Sequence, residues 1–64
     1  MNNQQKKRHY RITYRKPDGS QGAYYIAEEN AEFAIIEFKL RTGNSRECVI
    51  CVDAQQGKDW IRAL

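Results

Sequence analysis

A chain of 64 residues makes at most one domain, and a domain this short buries only about 60% of the surface that its unfolded chain exposes. Hydrophobic content of 41%, with one Trp, four Tyr and two Phe, supplies a modest core and excludes wholesale disorder. The net charge of +3 is unevenly placed, because residues 1–16 hold Lys6, Lys7, Arg8, Arg11, Arg15 and Lys16 and no acid, while residues 17–64 hold five bases against eight acids.

Cationic clustering on one segment says more about a polyanionic partner than the overall charge does. No apolar stretch has the length of a signal sequence or a membrane span, so a cytoplasmic location is expected. A small basic chain of this kind fits an accessory protein of bacterial, phage or plasmid type. Residues 1–7 are polar and aperiodic, which predicts a flexible basic arm, and residues 8–64 are expected to form a single domain.

From 9 to 15 the residues alternate. Tyr10, Ile12 and Tyr14 mark one face of a strand, and His9, Arg11, Thr13 and Arg15 the other. Residues 22–28 predict a second, aromatic-rich strand. Between them, Lys16-Pro17-Asp18-Gly19-Ser20 has the chemistry of a three-residue hairpin loop, with proline presetting its first position and glycine supplying the left-handed one. Pairing Lys16 with Ser20 sets Tyr14 against Gly22, Ile12 against Tyr24 and Tyr10 against Ile26. All the apolar partners then fall on one face, as a single register requires.

A helix is expected over 30–42, with Asn30 as N-cap, Glu32 in the first turn and Gly43 as the stop. At about 100° per residue it carries two apolar stripes. Phe33, Ile36 and Leu40 are assigned to the core. Ile35 and Phe38, with Ala31 and Ala34, form a second stripe, which is expected to meet either the C-terminal tail or another subunit. Residues 46–53 predict a third strand with Cys48, Ile50 and Val52 on one side and Val49 and Cys51 on the other. The preferred sheet order is 2-1-3, the first strand central. Trp60, Ile61 and Leu64 stand at helical spacing, so the tail is expected to form a short helix or turn over the core. The fold class is therefore α+β: a three-stranded sheet of β-β-α-β order, with one helix on one face.

Cys48 and Cys51 have the CxxC spacing of metal and redox sites, but zinc wants four ligands and His9 is the only histidine. On a strand the two thiols point to opposite faces, too far apart for a disulfide. No metal, cofactor or catalytic residues are expected, and glycines 19, 22, 43 and 57 match no phosphate-binding pattern. The lead that remains is nucleic acid, DNA or RNA, bound by Arg11, Arg15, His9 and Tyr25 on the outer hairpin face with Lys6, Lys7 and Arg8 as an extension. An acidic protein surface and a homodimer through Ile35 and Phe38 are the alternative partners, and neither a membrane nor a small-molecule substrate is expected. Reversing both Arg11 and Arg15 should abolish binding and spare the fold.

Overall fold

The computed structural model describes residues 6–64, so the first five residues of the expected arm lie outside the described residues. Strands β1 (Arg8–Arg15) and β2 (Gln21–Glu28) form the expected hairpin, with Tyr10 opposite Ile26, Ile12 opposite Tyr24 and Tyr14 opposite Gly22. The loop closes through Lys16 N–H to the Ser20 carbonyl at 2.8 Å and Gly19 N–H to the Lys16 carbonyl at 2.9 Å, with Gly19 at φ 92°. The Asp18 carboxylate accepts from the Ser20 hydroxyl at 2.7 Å and the Ser20 N–H at 2.9 Å. These two bonds, the hydroxyl's first, hold the Asp18 pKa below the ordinary carboxylate value. Their contribution to stability is thus present above the unfolded-state pKa and is lost as pH falls through the lowered one.

Helix α1 (Ala31–Thr42) starts where Asn30 Oδ1 accepts from Phe33 N–H at 2.9 Å and stops at Gly43, φ 77°, whose N–H donates to the Lys39 carbonyl. After it comes a 3₁₀ turn over Arg46–Cys48, then β3 (Val49–Gln56) and β4 (Asp59–Arg62). The sheet is fully antiparallel with order β2-β1-β3-β4. The α+β class and the central first strand agree with expectation.

The C-terminal helix does not. In its place β3 runs on to Gln56 and turns through the two-residue loop Gly57-Lys58, with Gly57 at φ 62°, into a fourth strand. Glycine at the first loop position suits the twist of a tight hairpin. Pairing continues beyond β4, where the Ala63 and Leu64 N–H groups both donate to the Val52 carbonyl. Trp60 and Ile61 therefore point to opposite faces, and Trp60 stands on the face away from Phe38.

The helix lies mainly against β1 and β2, and the expected use of its stripes is reversed. Ala34, Ile35 and Phe38 are buried with Tyr10, Ile12, Val52 and Ala54, whereas Phe33, Ile36 and Leu40 are exposed. Phe38 is fully enclosed and tilts against two tyrosine rings, Tyr14 at 5.0 Å and Tyr24 at 5.6 Å. Ile35 and Phe38 are thus core residues covered by the chain's own sheet, which removes them as an interface. Tyr24 and Ile26 are partly buried against the core.

Ile50, expected inside, is exposed as well. The register of β1 on β3 shifts between Thr13, opposite Cys51, and Tyr14, opposite Val49, so Ile50 is the extra residue of a bulge. The bulge turns Val49 toward the core in its place. Cys48 sits in the 3₁₀ turn and packs against the core, while Cys51 lies across the sheet from it, beside Asp53.

Gly22 shows how tight the hairpin is. A Cβ there would come within 2.9 Å of the Tyr14 ring and 2.8 Å of Lys16 Cε. Lysine can swing away, but Tyr14 is braced by Phe38. Gly22→Ala should cost about 1–3 kcal/mol by overpacking, read as a lowered urea midpoint with unchanged slope.

Candidate nucleic-acid interface

The sheet face away from α1 is open to solvent, and the register fixes what it displays. Alternation places His9, Arg11, Thr13 and Arg15 of β1 on this face. Ala23, Tyr25 and Ala27 of β2 join them, with Cys51, Asp53 and Gln55 of β3 and Trp60 and Arg62 of β4. One row crosses all four strands: Tyr25, Arg11, Asp53 and Arg62 are successive cross-strand partners.

Arg11 is the hub of that row. Its Nη2 donates to Asp53 Oδ2 at 3.1 Å, and its guanidinium carbon lies 4.8 Å from the centroid of the Trp60 ring. Trp60 leans across the sheet until its ring centroid is 5.8 Å from that of Tyr25, at 59°. The result is a tilted aromatic pair with a cation held against it. Tyr25 is 62% exposed and Trp60 is half-buried. Asp53, the one buried charged side chain among the described residues, also faces Arg62 Nε at 3.7 Å and accepts from the Cys51 thiol at 3.9 Å.

The sequence-expected residues do not all gather here. His9, Arg11, Arg15 and Tyr25 share the face, but the Arg15 guanidinium folds back onto the Gly19 carbonyl at 3.2 Å. Arg11 is occupied by Asp53 and Trp60 and serves to position the aromatic pair. Lys7 lies on the helix side, lining a cleft with Glu28, Glu29, Phe33, Ile36 and Glu37. Lys6 and Arg8 are exposed at the start of β1. Three residues of the site, Trp60, Asp53 and Arg62, were missed. The signal for them was the Gly57-Lys58 turn after an extended run, outweighed by the helical spacing of Trp60, Ile61 and Leu64.

Chemically, this surface offers two tilted aromatic rings for stacking and a rim of cations for neutralising charge. A concavity of about 570 Å³ lies elsewhere, between the β1–β2 loop and the segment that follows α1. Among the described residues no three His, Cys, Asp or Glu side chains are grouped to hold a metal ion, and both cysteines are free thiols. None of the described helices is long and apolar enough to cross a membrane. Comparison of the chain with protein-family models, with curated proteins and with solved structures finds no match.

Proposed function

We propose that this protein is a small non-enzymatic, cytoplasmic module that binds single-stranded nucleic acid on its open sheet face. The observation that carries the reading is the Tyr25–Trp60 pair on the open sheet face, Tyr25 exposed and Trp60 half-buried, backed by Arg11. Bases stack on such rings whatever their identity, and each is worth about 1–3 kcal/mol. His9 and Arg62 flank the pair and Arg15 stands further along β1 on the same face, where all three can meet phosphates, while the register turns Arg8 to the helix side. A duplex offers no free base faces, so an unpaired strand is the better ligand.

The experiment uses Trp60, the chain's one tryptophan, as its own reporter. Titration with an oligonucleotide of unpaired thymidines or uridines should quench its emission at low salt. Affinity should fall steeply as salt rises, with a slope of roughly 0.7 for each phosphate contact. Tyr25→Ala should weaken binding by about 5- to 150-fold, the loss of one stacked base, with the urea midpoint nearly unchanged because Tyr25 is exposed. Absence of quenching and of retention on a nucleic-acid column at about 20 mM salt, well below physiological screening, would sink the reading.

A further inference from the structure

We propose that a second copy of this chain docks on the exposed helix ridge of Phe33, Ile36 and Leu40, giving a two-fold dimer of antiparallel α1 helices. A helix that covers only its own sheet needs one apolar stripe. This one spends Ala34, Ile35 and Phe38 on the sheet and then carries three large apolar side chains on the opposite side. The ridge also has a knob and a hole. Leu40, near its C-terminal end, is 75% exposed. Near its N-terminal end, Phe33 and Ile36 form the apolar wall of a cleft of about 240 Å³ whose rim is charged, with Lys7, Glu28, Glu29 and Glu37. A two-fold axis beside Ile36 reverses the helix, so Leu40 of each copy meets the Phe33 cleft of the other, and the contact closes on itself without leaving a free end.

Charge independently favours the same pairing. One flank of the ridge is satisfied within the chain, where Arg41 Nε donates to Glu37 Oε1 at 2.9 Å. The other flank carries Glu32 in the first turn and Lys39 in the last. Lys39 has no ion pair or hydrogen bond among the described residues, while Glu32 accepts from Arg46 at 3.0 Å. The two-fold keeps this flank facing its own copy and reverses its direction. Glu32 of each protomer is then set against Lys39 of its partner, twice per dimer. The ridge runs from Phe33 to Leu40 on a 12-residue helix, about 10 Å along the axis, so the contact is small beside a standard interface of about 800 Å² per partner. The dimer is therefore reversible and concentration-dependent.

Sedimentation velocity across a concentration series tests this. Wild-type protein should pass from monomer to dimer, and Leu40→Glu should stay monomeric with an unchanged far-UV spectrum. Glu32→Lys and Lys39→Glu should each weaken dimerisation by about tenfold, and the double variant should recover most of the loss. Three results would overturn the proposal: a wild type that remains monomeric at millimolar concentration, a Leu40→Glu dimer of undiminished affinity, or a charge-swapped double variant no better than the singles. The second result would place the contact elsewhere, as on the free edge of β2 or the half-open β3–β4 end.

Discussion

Phe38→Ala should leave the chain largely unfolded at room temperature. Phe38 is fully buried and is wedged between the Tyr14 and Tyr24 rings, so truncation removes its own burial and both ring contacts. Large-to-small changes at such sites cost about 3–5 kcal/mol, and each aromatic pair adds about 0.5–1.5 kcal/mol beyond its area. A single core in a domain of this size rarely supplies more than about 3–5 kcal/mol in total. The measurement is a urea or thermal melt followed by far-UV circular dichroism. Phe33→Ala, on the same helix but on the outer ridge, is the control and should cost less than about 1 kcal/mol. Equal losses at the two positions would mean that the helix face is assigned the wrong way round.

Arg11→Glu is expected to damage the fold as well as the binding face. The substitution sets a second carboxylate against Asp53, whose side chain is only 13% exposed, and removes the cation from the Trp60 ring. Breaking a buried pair by removing one partner costs about 3–5 kcal/mol. The Arg11 side chain is 32% exposed, so solvent screening reduces this to about 2 kcal/mol. Trp60 emission should shift to the red as its ring loses cover. Arg62, 3.7 Å from the same carboxylate, remains to hold Asp53 and limits the loss. An unchanged melting curve together with unchanged Trp60 emission would show that the row across the sheet is not a unit. The expectation that both arginines reverse without cost to the fold is therefore kept only for Arg15, whose one hydrogen bond among the described residues is to the Gly19 carbonyl. Arg15→Glu is the cleaner probe of phosphate contact.

Local chemistry made much of this molecule readable from the sequence. The β1–β2 register follows from a proline–aspartate–glycine loop and a strict period of two, and a slip by one residue would have turned Tyr10, Ile12, Tyr24 and Ile26 outward. The helix bounds follow from Asn30 and Gly43, whose bonds are made within the helix's own ends. Arg11 and Tyr25 could be placed on one face for the same reason.

Three features were decided only by the tertiary structure. Both helix stripes are apolar, and periodicity alone does not rank them. Burial went to the stripe that includes Ala31 and Ala34, whose small side chains let the helix approach the sheet while Phe38 fills the space between Tyr14 and Tyr24. The bulge at Ile50 depends on how β3 meets β1, a contact between residues far apart in the chain. Trp60, Ile61 and Leu64 fit a helix by spacing, but Gly57 lets the chain turn back on β3, and the unpaired edge of β3 captured it as a strand. That capture carried Trp60 to Arg11 and Tyr25. The β3–β4 hairpin is local, but it meets Arg11 and Tyr25 only because β3 hydrogen-bonds to β1, far away in the chain, a pairing that no local pattern encodes.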